Sequence, residues 1–218
     1  HGWSDQVVYS LKVPKPRRYE AHGIPAACTR HTDEAAPNDL DSLESLLRLN
    51  RLRGGTACVL IEPLGPESGT RPLDRAYNEG ARKLCDAYGA LLVFDEVVTA
   101  FRVGLGGAQG YFGVRPDLTT FGKIVAGGYP SAGGLGGRRD LIMLMAAGLE
   151  TGKRRAYVGG TMAANPLSAA AGYFTLKEIE RRDACAVAGR AGDRLCAGLQ
   201  RRIEALGLPF VAYNQGSI

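Results

Sequence analysis

The 218-residue sequence lacks several patterns that define other classes of protein. No apolar run approaches the roughly 18 residues of a membrane-spanning helix, and no signal peptide opens the chain. Its five cysteines form no C-x-x-C pair, as is typical of a reduced, intracellular protein, and Cys58 and Cys85 lie in apolar stretches that predict core positions. Basic residues are not interleaved with aromatics in the pattern that single-stranded nucleic acid requires. We therefore expect a cytoplasmic protein that binds neither membranes nor nucleic acid.

Common nucleotide-binding and metal-binding patterns are also missing, although glycine is abundant. The 30 glycines concentrate between residues 104 and 160, as expected where loops crowd a ligand or turn tightly. Residues 104–110 do not follow G-x-G-x-x-G, and the Gly-Lys pair at 122–123 precedes Ile instead of the Ser or Thr of a phosphate-binding loop. The histidines lack metal-ligand spacing, which favours surface positions and no metal site for all three: His1, His22 and His31.

The composition is that of a globular protein with a substantial core. Apolar residues make up 45% of the chain and charged residues 22%, and the length allows one domain, or one domain and part of a second. The formal net charge of +5 would suit an anionic ligand such as a phosphate ester, and it would equally suit a solvated surface.

Strand and helix patterns alternate in the first part of the chain and predict an α/β fold. Residues 56–61 (TACVLI) and 90–94 (ALLVF) are apolar runs that predict strands buried on both faces. Between them, a helix of four turns is predicted to begin at Pro72 and to be closed by Gly89. Strand, helix and strand in this order form a right-handed βαβ unit with parallel strands.

Further elements are predicted on both sides of this unit. They are a helix over residues 38–50, strands over 118–121 and 131–135, helices over 139–147, 165–182 and 184–206, and a strand that begins at 210–213. In the helix over 165–182, the spacing of apolar residues predicts five inward positions: Leu167, Ala170, Ala171, Phe174 and Ile179. The helix over 184–206 is amphipathic, with an apolar set of Val187, Ala191, Leu195, Leu199 and Ile203. The change from a glycine-rich pattern to charged helices near residue 170 predicts a domain boundary there.

Acidic side chains follow both predicted parallel strands, and a lysine lies further along the chain. Glu62 and Glu67 come after the first strand, and Asp95 and Glu96 come after the second. In parallel α/β sheets, ligands bind beyond the carboxyl ends of the strands. Lys123 lies in TTFGKIVAGG, a stretch without any other charge. Lysine is seldom placed in apolar, glycine-rich sequence unless its amine is used, so we expect a partly desolvated, nucleophilic amine.

This combination matches the needs of pyridoxal phosphate, although the spacing alone would also fit another α/β enzyme. The cofactor requires a lysine for its aldehyde, a carboxylate for its ring nitrogen, apolar walls and hydrogen-bond donors for its phosphate. Lys123 could supply the amine, Asp95 the carboxylate, and Val97 or Val98 a wall.

One segment, residues 94–143, resembles the core signature of the class III aminotransferases, which depend on pyridoxal phosphate. It reads FDEVVTAFRVGLGGAQGYFGVRPDLTTFGKIVAGGYPSAGGLGGRRDLIM, and it is most similar to the branch that contains glutamate-1-semialdehyde aminomutase. The resemblance extends to three further segments: HGWSD (1–5), LIEPLGPESG (60–69) and GGTMAANPLSAAAG (159–172). Two departures from the pattern are Ala100, where glycine is usual, and the additional residue in Gly133-Gly134.

The resemblance implies the architecture of the chain. Residues 1–170 would be the large domain of a fold-type I pyridoxal-phosphate-dependent transferase, with a mainly parallel sheet between helices. Residues 171–218 would begin a small C-terminal domain. A complete family member would be roughly twice this length, so we expect a central fragment.

The resemblance also implies roles for individual residues. Asp95 would pair with the pyridine nitrogen of pyridoxal 5'-phosphate, Val97 would pack on the ring, and Lys123 would form the Schiff base. Thr161 would bind the cofactor phosphate of the neighbouring subunit, which implies a homodimer with the active site at its interface. Glu67 aligns with a glutamate that pairs with a substrate-binding arginine in members acting on omega-amino groups.

Several of these residues also have structural interpretations that the sequence leaves open. Asp95 would serve as a helix cap or ion-pair partner, Thr161 as an ordinary residue at a helix entry, and Glu67 as a turn residue. Glu62 is more typical of a structural hydrogen-bonding residue, and Arg102 would either reach substrate or pair with an acidic side chain.

The function implied is transfer of an amino group between an amino donor and a keto or aldehyde acceptor through a Lys123 aldimine. Two alternatives stay open. One is an intramolecular amine shift like that of the aminomutase, and the other is a non-catalytic remnant that acts as a dimerisation piece.

Overall fold

The computed structural model describes residues 1–2, 4–7, 23–130, 132–146, 155–163 and 165–218, without the side chains of residues 67 and 68. It is an α/β structure with a mixed, mainly parallel sheet between helices, as predicted. Four strands lie in the order β1 (Cys58–Ile61), β2 (Leu91–Asp95), β3 (Leu118–Phe121) and β4 (Gly134–Gly137).

Strand pairing brings the ends of β2 and β3 to the same edge of the sheet. β1, β2 and β3 are parallel neighbours, and Asp95 of β2 stands opposite Thr120 of β3. β4 pairs antiparallel to β3, with Gly134 opposite Phe121. The strand predicted over 131–135 therefore exists, but it begins later and Ser131 lies outside the described residues.

The connection between β1 and β2 is helix α4 (Arg75–Tyr88), which follows the short helix α3 (Pro66–Gly69). α4 begins three residues after Pro72, because Asn38 fixes the turn before it: its side chain accepts from Asp74 N at 2.9 Å and donates to Pro72 O at 2.8 Å. The helix ends at Gly89, which adopts the left-handed conformation (φ 69°) predicted for a C-cap glycine.

The core lies between α4, the sheet and helix α2 (Leu40–Arg51), which is capped by Asp39. Ala81, Cys85, Leu92 and Phe94 are completely buried. Burial of a leucine or phenylalanine side chain contributes about 1.5–3 kcal/mol each, so this cluster fixes the position of β2. The core position predicted for Cys85 is confirmed.

The prediction that β1 is buried on both faces is wrong. Only Ile61 is fully buried, Val59 and Leu60 are partly exposed, and Cys58 is exposed instead of lying in the core. The physical reason is topological, since β1 has a hydrogen-bonded neighbour on one side alone among the described strands. Periodicity within a strand does not indicate whether the strand lies at the centre or at the edge of a sheet.

Shorter helices fill the connections. The described residues form α1 (Ala26–Thr29) before α2, α5 (Gly107–Phe112) before β3, and α6 (Arg139–Ile142) after β4. The helix predicted over 139–147 changes after α6 into a 3-10 turn, Met143–Met145, and residue 147 lies outside the described residues.

Two longer helices follow, α7 (Pro166–Arg181) and α8 (Ala184–Ala205), close to their predicted bounds. Ile179 of α7 is buried, as predicted, but the inward orientation predicted for Leu167 and Phe174 is wrong, since they are 62% and 66% exposed. Leu195, from the apolar set of α8, is 65% exposed. These exposed apolar side chains have no covering element among the described residues. None of the described helices is both long enough and apolar enough to cross a membrane.

The strand predicted over 210–213 is absent from the described C-terminal residues. This segment has no strand beside it, and Ala212 N donates instead to the side chain of Gln200, 3.1 Å away. An apolar run becomes a strand only with a pairing partner. The predicted boundary at residue 170 falls within the continuous helix α7, and the division into two domains stays a prediction.

Candidate active site

Asp95 is the last residue of β2, and its carboxylate is half-buried and well oriented. One oxygen, Oδ1, accepts hydrogen bonds from Val97 N and from the Thr120 hydroxyl, both at 3.1 Å. The other oxygen, Oδ2, lies 2.7 Å from Nδ1 of His1. The strand register explains the Thr120 contact, because Thr120 is directly opposite Asp95.

The contact of His1 with Asp95 was not predicted from the sequence. We predicted a surface position, but its side chain is largely covered and contacts Asp95 across 94 positions of sequence. Metal-ligand spacing was the wrong criterion, because the partner is a carboxylate far along the chain. The resemblance in HGWSD was the available signal. His31 is exposed as predicted, and His22 lies outside the described residues.

Lys123 follows β3, the neighbour of β2, and so lies at the same edge of the sheet as Asp95. It begins a 3-10 turn, Lys123–Ala126, with φ 51°. This left-handed conformation is unfavourable for a residue other than glycine, by about 1–3 kcal/mol, and its persistence requires support from the surroundings. Such outliers occur preferentially at functional sites.

The partial desolvation expected of Lys123 is not seen among the described residues, where this side chain is exposed. Its own turn is glycine-flanked and offers few side chains that could cover an amine. Covering walls would have to come from parts of the protein other than the described residues.

Val97 lies beside the backbone that leads to Lys123. A Cβ atom at Gly122 would come within 3.0 Å of Val97 Cγ1, so glycine permits the close approach of these two segments. Val97 is partly exposed and therefore able to present its branched side chain at this edge of the sheet. The structure thus brings Asp95, Val97 and the Lys123 turn together.

Glu96, the neighbour of Asp95, has a structural role. It is completely buried, and its carboxylate accepts from the Thr99 hydroxyl at 2.9 Å, from Ala108 N at 2.5 Å and from Gln109 N at 3.1 Å. The last two donors belong to the first turn of α5, whose free N–H groups favour a negative charge. Glu96 therefore anchors the loop between β2 and α5, and of the two adjacent acids only Asp95 faces the site.

The remaining predicted residues are less closely associated with this cluster. Thr161 is exposed in a turn before Asn165, which caps α7 by accepting from Ser168 N at 2.9 Å. Glu62 is partly exposed at the end of β1, and its carbonyl accepts from Gly65 N at 2.8 Å. Arg102 is exposed, and the side chain of Glu67 lies outside the described part of the structure.

A cavity of about 410 Å³ lies next to α5 and not at Lys123. Its lining includes Ala100, Phe101, Gln109, Arg115 and Phe121. It contains none of the predicted site residues. The candidate site is therefore defined by the side chains of Asp95, Val97 and Lys123 and not by this cavity.

The described residues fit a pyridoxal phosphate group. Asp95 offers a carboxylate whose orientation is fixed by Val97 N and Thr120, and an exposed amine, that of Lys123, starts the turn after the adjacent strand. A carboxylate for the ring nitrogen and an amine for the aldehyde are the two groups that the cofactor requires from the protein.

Comparison with known proteins agrees with this chemistry. The family model for aminotransferase class-III matches residues 5–207, and the chain belongs to that family. Its fold is therefore that of the fold-type I transferases, and the cofactor of the family is pyridoxal 5'-phosphate.

Solved structures similar to this chain include transaminases and an aminomutase. A transaminase with pyridoxal phosphate bound is 28% identical with a TM-score of 0.86, and the match covers 99% of this chain and 50% of that one. An omega-transaminase from Sphaerobacter thermophilus is 31% identical with a TM-score of 0.84, over 99% and 50% of the two chains. A glutamate-1-semialdehyde aminomutase from Pseudomonas aeruginosa PAO1 is 28% identical with a TM-score of 0.81, over 100% and 48%. The chain thus spans about half the length of these proteins.

Proposed function

We propose that this chain forms the central, cofactor-binding part of an enzyme that transfers an amino group from an amino donor to a keto or aldehyde acceptor. The observation that carries the proposal is that Asp95 ends one strand and Lys123 follows the end of the adjacent parallel strand, at the same edge of the sheet. Membership of the class III aminotransferases supports it.

Asp95 would hold a proton on the ring nitrogen. Bound pyridoxal phosphate supplies an aldehyde for the amine and a ring that accepts electrons. The Thr120 hydroxyl and Val97 N–H donate to the same oxygen of Asp95, and both bonds restrict the rotation of the carboxylate. The His1 ring, on the other oxygen, adds a third restraint.

Lys123 would serve as nucleophile and then as proton carrier. Its Nζ would be the amine that holds the aldehyde of the bound cofactor. Once displaced by substrate, the same amine would accept a proton from the substrate carbon and return it elsewhere, as a general base and acid. The constrained turn limits the positions that the amine can reach.

Val97 and Thr161 complete the proposed cofactor contacts. Val97 would pack on the ring, in keeping with its position against Gly122. Thr161 would donate its hydroxyl to the cofactor phosphate in the neighbouring subunit of a homodimer. Its exposure in this chain supports such a role, because the hydroxyl is accessible from outside the subunit.

An intramolecular amine shift is the second candidate. The observation that favours it is the aminomutase among the similar structures, with a TM-score of 0.81. Consumption of an added keto acceptor separates the two reactions, since a mutase returns the amino group to the same carbon skeleton. A full-length protein that turns over an amino aldehyde without an added acceptor would support the mutase.

Borohydride reduction of the full-length, cofactor-loaded protein tests the site. Reduction should fix the cofactor covalently to the peptide that contains Lys123. Lys83 is the internal comparison, because it is an exposed lysine on α4 and has no proposed role in the site. Label on Lys83 or on another lysine would overturn the assignment.

A further inference from the structure

Helix α7 approaches the Lys123 turn closely enough to exclude a side chain at two glycines. A Cβ atom at Gly172, within α7, would overlap the carbonyl oxygen of Val125, well inside the 3.0 Å that real Cβ atoms keep. On the opposite side, a Cβ atom at Gly127 would lie 2.6 Å from the carbonyl oxygen of Ala171. The helix backbone and the backbone of the turn are therefore in direct contact.

A buried hydrogen bond fixes the same helix to the segment beyond the turn. The Ser168 hydroxyl donates to the carbonyl oxygen of Pro130 at 2.6 Å, and Ser168 is 1% exposed. Asn165, which caps α7, also bonds to Ser168. One helix thus holds residues 125–130 at both ends, immediately after Lys123.

The glycine at position 172 has no explanation within the helix itself. Gly172 is buried in the interior of α7, where alanine is the more favourable helix residue. Its contact is with backbone atoms of the turn, which cannot rotate away as a side chain could. Lys123, two residues before Val125, holds an unfavourable φ of 51°, and this conformation needs external support.

We propose that Gly172 is a positioning residue, which together with Ser168 sets the conformation of the Lys123 turn and so the place of its amine. The inference rests on the proposed function, because it concerns the lysine assigned there. Gly172 acts through the turn, because the atoms that an added Cβ would meet there are backbone atoms of Val125 and Ala126.

The test compares Gly172→Ala with Gly198→Ala in the full-length protein. Gly198 lies in α8, where the nearest atom to an added Cβ, a terminal nitrogen of Arg201, is 4.0 Å away. The two variants make the same chemical change within a helix, and only the first meets the Lys123 turn. A limited dose of an amine-modifying reagent is applied to the cofactor-free protein, and peptide mass spectrometry gives the ratio of Lys123 to Lys83 modification.

We expect the Lys123 to Lys83 ratio to change by about fivefold in Gly172→Ala, the factor that corresponds to about 1 kcal/mol of altered backbone strain. Gly198→Ala should keep the ratio of the unmodified protein. Turnover by the loaded Gly172→Ala enzyme should fall by up to about a hundredfold, as for a reacting group displaced by 1 Å.

Ser168→Ala covers the case in which Gly172→Ala fails to fold, since it removes the bond to Pro130 without adding volume. It should change the ratio in the same direction by a smaller factor. An unchanged ratio in the folded variants would overturn the proposal, and so would an equal change in Gly198→Ala. Borohydride labelling of a lysine other than 123 would instead overturn the proposed function, and it would leave these ratios unaffected.

Discussion

The two ends of the β2–β3 strand pair each carry an aspartate, and the two aspartates have different partners. Asp95, at the carboxyl end, accepts from Val97 N, from Thr120 and from the His1 ring. Asp117, just before β3 at the amino end, is paired with two arginines. This difference separates a carboxylate at the candidate site from one that is tied to two arginines.

The Asp117 cluster links four parts of the fold. One carboxylate oxygen accepts from Leu92 N in β2 and from Arg82 in α4, both at 2.8 Å. The other accepts from Arg138, which follows β4, at 3.1 Å. Burial alone would raise the pKa of Asp117, but the hydrogen bonds from Leu92, Arg82 and Arg138 outweigh it, and the pKa lies below its ordinary value.

The comparison teaches that position along a parallel strand predicts the role of an acidic residue better than its burial does. Carboxyl ends of parallel strands form the ligand side of the sheet, and amino ends form the opposite side. Glu96 is a useful exception, because it follows a carboxyl end and yet is buried against α5. Its neighbour Asp95 faces the site in its place.

The largest effect is expected from Lys123→Ala in the full-length protein. Turnover should fall by at least about a thousandfold, because the proposed function assigns the nucleophile and the proton carrier to the same nitrogen. Lys83→Ala is the control and should keep full activity. Retention of most activity by Lys123→Ala would contradict the assignment of the active site to the carboxyl end of the β2–β3 pair.

Asp95→Asn should reduce turnover by about a hundredfold or more while leaving the fold intact. The amide keeps the size of the side chain but carries no charge to hold a proton on the ring nitrogen. Steady-state kinetics and thermal unfolding of the same sample measure the two effects. A large loss of stability with unchanged turnover per folded molecule would mean that Asp95 resembles Asp117 after all.

Asp117→Asn should show the opposite pattern, a lower free energy of unfolding with unchanged turnover per folded molecule. Loss of charge-assisted hydrogen bonds costs about 1–3 kcal/mol. Asp140→Asn is a matched control, because Asp140 also pairs with Arg138 but is exposed and should contribute little. Denaturant unfolding provides the measurement.

The same substitution should alter the pH dependence of stability. Because the folded pKa of Asp117 is lowered, its contribution is complete above the unfolded value of about 3.9 and is lost as the pH falls through the folded pKa. The free energy of unfolding should therefore decline below about pH 4, and less steeply in Asp117→Asn. Parallel curves for the two proteins would contradict the lowered pKa.

The smallest effect is expected from Thr161→Ala, which tests the proposed contact with the cofactor phosphate. Removal of one hydroxyl donor to a phosphate should weaken cofactor binding by about tenfold, or about 1.4 kcal/mol. Equilibrium dialysis of the cofactor against the full-length protein provides the dissociation constant. Unchanged affinity would place the phosphate contact elsewhere.

Much of the fold followed from local patterns. The strands over 90–94 and 118–121, the helix closed by Gly89 and the two C-terminal helices have the predicted type and nearly the predicted bounds. The errors concern what each element contacts. Within the described part of the chain, Cys58 is exposed at the edge of the sheet, Phe174 is exposed on α7, and residues 210–213 have no strand to pair with.

The site divides in the same way. Lys123 and Asp95 could be found from sequence, because an isolated charge in a glycine-rich loop and an acid at a strand end are local signals. The contact of His1 with Asp95 could not be predicted, because the two residues are distant in sequence. The burial of Glu96 against α5 could not be predicted either, because no local signal indicates which of two adjacent acids is buried.

The sequence by itself predicted the family and most of the longer strands and helices, and it singled out Asp95 and Lys123 as the two groups proposed to hold pyridoxal phosphate. Periodicity, caps and charge are properties of consecutive residues, and they persist whatever the chain packs against. Only the tertiary structure decided which aspartate is tied to arginines, which acid anchors a helix, and that α7 contacts the lysine turn through Gly172. Those outcomes depend on which segments, distant in sequence, meet in space. At Gly172 the contact is between two backbones, and glycine has no side chain that could indicate it in the sequence.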